Sequence, residues 1–122
     1  MTGKECYEAA LALLGETSDS AGYYEKFALY HMNQVLANCR RELCALSLAA
    51  GGEAIATPPR ITALEDALPA PEALARECFP YGLAALLVCD DDKLKFNWCA
   101  AEFADRLQRY CPVTLQPVEE MD

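Results

Sequence analysis

The residues best equipped for chemistry are seven cysteines (Cys6, Cys39, Cys44, Cys78, Cys89, Cys99 and Cys111), one histidine (His31) and the run Asp90-Asp91-Asp92. Zinc sites are built from closely spaced ligand pairs. The chain has no Cys-x-x-Cys, and His31 has no cysteine three or four residues away. A Cys–His nucleophilic pair would need a cysteine brought to His31 across the fold, and nothing in the spacing supplies one. An odd number of cysteines, behind an N-terminus (Met1-Thr2-Gly3-Lys4-Glu5) without the charged-then-apolar layout of a signal peptide, argues against a disulfide framework. Most of the thiols fall in apolar stripes, where a reduced cysteine acts as a small hydrophobe. The three aspartates invite a metal reading, but a calcium loop needs oxygen ligands at alternating positions and a glycine. Lys93-Leu94-Lys95 supplies neither, so the carboxylates are expected to cap a helix start. There is no phosphate-binding glycine loop, no Gly-x-Ser-x-Gly and no His-Glu-x-x-His. The expectation is a protein that is not an enzyme, with no catalytic, cofactor-binding or metal-binding residues.

The elements that would carry these residues read as helices. At 122 residues and 53% hydrophobic, the chain suits one domain with a real core. A net charge of −9 disfavours non-specific DNA binding, since a run of phosphates would meet few cations. No apolar run reaches the roughly 18–20 residues that span a bilayer, so no membrane partner is expected. Thr2-x-x-Glu5 is a capping box, followed by Cys6, Ala10, Leu13 and Leu14 on one face and Gly15 as a stop. Ser18-Asp19-Ser20 then offers an N-cap for one long second helix. Its stripe is Ala28, Met32, Val35, Cys39, Leu43, Leu46 and Ala50, with Lys26, Asn33, Arg40 and Ser47 on the opposite side and Gly51-Gly52 at its end. A helix of that extent would run on the order of 45 Å. Tyr23, Tyr24, Phe27 and Tyr30 cluster near its start and are expected to pack against the last helix, with a partner surface as the other reading.

Pro58-Pro59, Pro69 and Pro71 forbid a regular helix over residues 53–71, where Ile61-Thr62 and Leu64 suggest extended backbone. A link this long inside a small domain is often functional. Pro71 fits the first turn of a third helix. From Cys78 to Cys89 that helix carries no charge on any side, which marks it as the buried centre of the core, kinked or split near Pro80 and Gly82. A fourth helix follows the aspartates with Phe96, Cys99, Phe103, Leu107 and Tyr110 on one face. Its other face holds Lys95, Glu102, Asp105, Arg106 and Arg109. The predicted fold is therefore all-α: a compact bundle of about four helices, one of them long, with a proline-rich link between helices two and three. The domain is residues 1–111, and residues 112–122 form a tail. In that tail Val113, Leu115 and Val118 are the candidate partner-binding residues, because Val113-Thr114-Leu115 alternates like a strand that can add to a sheet edge.

The second half of the chain resembles a known family. The run Ile61-Thr62-Ala63-Leu64-Glu65-Asp66-Ala67-Leu68-Pro69-Ala70-Pro71, the segment Tyr81-Gly82-Leu83-Ala84-Ala85-Leu86-Leu87, the acidic break and the aromatic helix ending at Tyr110 carry the likeness. Together they look like the small head–tail connector (adaptor, or head-completion) proteins of long-tailed phages and prophages. The likeness is one of layout over nearly the whole length, so it assigns no residue a role. It implies a structural protein of the virion neck, in the host cytoplasm during assembly. Such proteins form a homo-oligomeric ring, typically twelvefold, between the portal protein and a tail-side connector or tail-completion protein. DNA would pass through without specific binding, and a carboxylate-rich channel wall suits that passage because it repels phosphates. The alternative is a small acidic helical module for protein–protein interaction or regulation.

Overall fold

In the computed structural model, which describes residues 1–17 and 22–111, helix α1 (Gly3–Leu13) begins where Thr2 and Glu5 close a capping box. Thr2 Oγ1 accepts from the Glu5 N–H at 3.1 Å, and Glu5 Oε1 accepts from the Thr2 N–H at 2.8 Å. Two further first-turn N–H groups are met from outside the helix: Gly3 donates to the Asp66 carbonyl and Lys4 to that of Leu64. A helix start normally leaves such donors orphaned. The helix ends at Gly15, whose φ of +73° is the left-handed geometry glycine accepts. Lys95 Nζ donates to the Leu14 carbonyl at 2.8 Å, placing a cation at the negative helix end. Cys6, Ala10 and Leu14 are buried.

Five helices stand among the described residues, not four: α1, α2 (Gly22–Asn38), α3 (Arg40–Ala49), α4 (Glu72–Val88) and α5 (Lys93–Tyr110). The single long second helix is a misreading. It is interrupted at Cys39, with φ −98° and ψ 8°, whose N–H is shared between the Val35 and Leu36 carbonyls. The apolar stripe runs through the break without a change of spacing, but its burial does not. Ala28, Met32, Val35, Cys39 and Leu43 are buried, Leu46 is half-buried and Ala50 is exposed. α2 packs on α4, whereas α3 makes no comparable contact with α4 and touches chiefly the neighbouring α2. At about 1.5 Å per residue, α4 spans only about 26 Å and cannot cover a 45 Å partner. The proposed cap at residues 18–20 lies outside the described residues.

The core is organised around α4, which packs against α1, α2 and α5 and buries Phe79, Leu83, Ala84 and eight other residues. Phe79 is fully enclosed; truncating such a ring to alanine costs about 3–5 kcal/mol. α4 runs through Pro80 as one helix and is not split there. Gly82 sits under Phe103 of α5, and a Cβ at this position would lie 3.0 Å from the ring. Its lack of a side chain is what lets α4 and α5 approach. Asp92 caps α5, its Oδ1 accepting from Leu94 N–H at 3.0 Å and Lys95 N–H at 3.1 Å.

Residues 51–71 form no helix, and the only β feature among the described residues is an isolated bridge between Thr2 and Ala67. The segment nevertheless lies along the polar face of α2 and α3. Ser47 Oγ donates to the Glu53 carbonyl, Arg40 Nη1 to that of Ile55, and Asn33 holds both backbone groups of Ile61. These three side chains recur every seven residues, so the helices present one donor per two turns to the strap that crosses them.

Candidate functional site

Of the four aromatic residues at the start of α2, Tyr24 is partly buried against the core, and the other three stay in solvent instead of packing on the last helix. Tyr23 is 65% exposed, Phe27 44% and Tyr30 67%, while Ala28 and Met32 beside them are fully buried. The reason is angular. Tyr23, Phe27 and Tyr30 form their own i, i+4, i+7 row five positions ahead of Ala28, Met32 and Val35, which at about 100° per residue turns it roughly 140° away from the core stripe. The rings contact one another instead: Tyr23 meets Tyr24 at 5.7 Å and Phe27 at 5.8 Å, both edge-on, and Tyr30 meets His31 at 5.5 Å.

Opposite this ledge stands the corner where α4 turns into α5. Tyr23, Tyr24, Phe27 and His31 on one side, and Leu86, Leu87, Cys89, Asp90 and Asp91 on the other, line a hollow of about 200 Å³. Glu16, Tyr23, Tyr24 and Asp91 line an adjoining one of about 390 Å³. Tyr24 ties the two walls together, its hydroxyl donating to Asp91 Oδ2 at 2.9 Å. Burial first, and the Asp91 carboxylate second, push the Tyr24 phenol up to about 12, so it stays protonated and keeps donating. His31 Nδ1 is shielded from solvent and has no hydrogen-bond partner among the described residues. Rings and carboxylates together, with no lysine or arginine among the lining residues, favour a cation over an anion.

The other groups singled out by type are placed differently. Five cysteines are buried and two, Cys44 and Cys89, are partly exposed. Burial pushes the thiols of Cys6 and Cys39 up to about 12 and that of Cys78 to about 11, and raises those of Cys99 and Cys111. Such thiols are poor nucleophiles at neutral pH. Among the described residues no three His, Cys, Asp or Glu side chains are gathered as a metal site would need. No described helix is long and apolar enough to cross a membrane. Val113, Leu115 and Val118 lie outside the described residues.

A second exposed surface belongs to α5. Leu94 is 81% and Trp98 51% exposed. Trp98 stands edge-on to Tyr81 at 5.6 Å, and Arg106 covers the other contact of that ring, its guanidinium carbon 4.3 Å from the centroid. Arg106 bonds Glu102 one turn back on α5 at 3.0 Å and Glu77 of α4 at 3.4 Å, so with the Tyr81 ring the Glu77 bond clamps this stretch of α5 onto α4. Sequence reasoning gives the α2 row a partner surface only as its second reading, and it misses the α5 surface. Their signal was present in the out-of-step aromatic row on α2 and in Leu94 and Trp98, which lie off the α5 stripe.

No protein-family model, curated protein or solved structure matches this chain. The functional reading therefore stands on the residues and their geometry.

Proposed function

We propose that this protein is a structural adaptor subunit of a phage or prophage neck, assembling as a ring between a portal protein and the tail. The observation that carries the proposal is the pair of exposed apolar faces, Tyr23, Phe27 and Tyr30 on α2 and Leu94 and Trp98 on α5. A head-to-tail ring requires two different surfaces on every subunit, each complementary to the other or to a partner. Aromatic residues left in water on two helices are the kind of side chain that anchors protein interfaces. The net charge of −9 supports the same reading, since a ring of such subunits repels the DNA that threads it. Like charges also oppose unaided self-association, so the isolated chain is expected to be a monomer or small oligomer that forms its ring on the portal.

The test is co-expression with the portal protein encoded in the same gene cluster, followed by native mass spectrometry. A stable complex carrying a closed ring of this chain is the expected result. A chain that stays monomeric beside an intact portal overturns the neck reading. Stoichiometric one-to-one binding to another protein would favour a small interaction or regulatory module.

A further inference from the structure

We propose that the hollow between α2 and the α4–α5 corner is a receptor for a single arginine side chain presented by a partner protein. Its walls are the rings of Tyr23, Tyr24 and Phe27, and its acidic end is Asp90 and Asp91. A guanidinium is planar, stacks on aromatic faces and carries five N–H donors in a fixed fork. Tyr23 and Phe27 expose ring surface for the stack. Tyr24 occupies Asp91 Oδ2 and so fixes the carboxylate, whose other oxygen accepts no hydrogen bond among the described residues. The Asp90 side chain is exposed and likewise has no hydrogen bond or ion pair among the described residues. His31, whose Nδ1 has no hydrogen-bond partner among the described residues, lines the same hollow. An aromatic wall, two acceptors and no lysine or arginine among the described lining residues match a desolvated guanidinium. An anionic or purely apolar ligand would leave the carboxylates repelled or stripped of water without a partner.

Arginine is favoured over lysine for a geometric reason. A point-charge ammonium gains the carboxylates but not the flat stack or the paired donation. At about 200 Å³ the hollow holds one side chain and not a folded segment, so the partner's backbone stays outside it. The proposal rests on the adaptor reading only in assuming that a protein partner exists.

The experiment is an amide-resolved NMR titration of the full chain with the peptide acetyl-Ser-Gly-Arg-Gly-Ser-amide and its lysine and citrulline counterparts. The arginine peptide is expected to give saturable shifts confined to residues 22–31 and 86–91, with lysine at least about threefold weaker and citrulline giving no saturation. Asp91→Asn and Phe27→Leu should each weaken the arginine peptide about fivefold or more while leaving the remaining amide spectrum in place. Asp90→Asn provides a variant that does not touch the Tyr24 bond and should weaken it less. Shifts spread over the acidic surface without saturation, an equal response to citrulline, or unchanged affinity in folded Asp91→Asn would overturn the proposal. Arginine binding with no ring on the portal would overturn the neck reading alone, and ring assembly with no arginine binding would overturn this one alone.

Discussion

The carboxamide of Asn33 closes both backbone groups of Ile61: Nδ2 donates to its carbonyl at 2.9 Å and Oδ1 accepts from its N–H at 2.8 Å. Ile61 itself is 4% exposed, and its Cδ1 fills the space that a Cβ on Gly3 would take. One side chain on α2 therefore fixes the point at which the non-helical segment 51–71 turns inward toward α1.

Replacing Asn33 with alanine should cost about 1–3 kcal/mol, because two part-buried backbone groups lose their partners together. Asn33→Asp keeps the acceptor for the Ile61 N–H but sets a carboxylate oxygen against the Ile61 carbonyl, so it should not restore the parent stability. Urea denaturation measures the free energy, and amide exchange at Ile61 locates the loss. Equal stability of Asn33→Ala and the parent chain would mean that the strap is not held by this bond pair.

Gly3→Ala should destabilise the fold by about 1–2 kcal/mol, the lower part of the range for overpacking. The added Cβ would lie 2.7 Å from Ile61 Cδ1 and 3.0 Å from the Leu64 carbonyl oxygen. The first contact can be relieved by a side-chain rotation. The second cannot, because that carbonyl accepts the Lys4 N–H at 2.7 Å. Ile61→Val in the same chain should recover only part of the loss, as read by thermal unfolding.

How much of this was legible follows from which interactions are local. The Thr2–Glu5 box, the Gly15 stop, the Asp92 cap and the buried character of α4 all come from residues a few positions apart, and each stands as its pattern implied. The break at Cys39 was not legible, since the stripe keeps its 3,4 spacing through it and no proline or glycine marks it. Nor was the role of Asn33, Arg40 and Ser47, whose partners lie 28, 15 and 6 residues away and are backbone atoms without a sequence signature. The candidate hollow was half legible. Its aromatic residues stand out by type, but their exposure follows from the angle of roughly 140° between their row and the core stripe.

Acid should loosen the junction between α1 and residues 61–72. The Glu5 carboxyl is held below its ordinary range chiefly by the Thr2 N–H, that of Asp66 by the N–H and hydroxyl of Thr62, and that of Glu72 by the amino group of Met1. A depressed carboxyl contributes stability above its unfolded-state value, near 4.5 for glutamate and 3.8 for aspartate. That contribution is lost as pH falls through the lower folded-state value. These groups are solvent-exposed, so the effect is modest and weakens with salt. Denaturation midpoints of the parent chain and Asp66→Asn should therefore differ at pH 7 and draw together as pH falls below the unfolded-state value of 3.8. A constant gap across that range would rule out the Asp66 contribution.

The thiols should divide into a fast pair and a slow five. Cys44 and Cys89 are partly exposed, whereas Cys6, Cys39, Cys78, Cys99 and Cys111 are buried. Access and charge act in the same direction. With thiols pushed up to about 12 at Cys6 and Cys39, and to about 11 at Cys78, almost none of these sulfurs is thiolate at pH 8 even when reached. Cys44 Sγ also accepts the Ile55 N–H at 3.3 Å, so its reaction should be slower than that of Cys89 and should quicken when Arg40→Ala releases the Ile55 carbonyl alongside it. A coloured disulfide reagent under native conditions should show a rapid phase of two thiols per chain, removed by Cys44→Ser with Cys89→Ser. The remaining five should react only as fast as the chain opens, and so speed up with urea in step with the loss of stability. Seven thiols reacting in one rapid phase would mean that the core around α4 is open to solvent on the timescale of the assay.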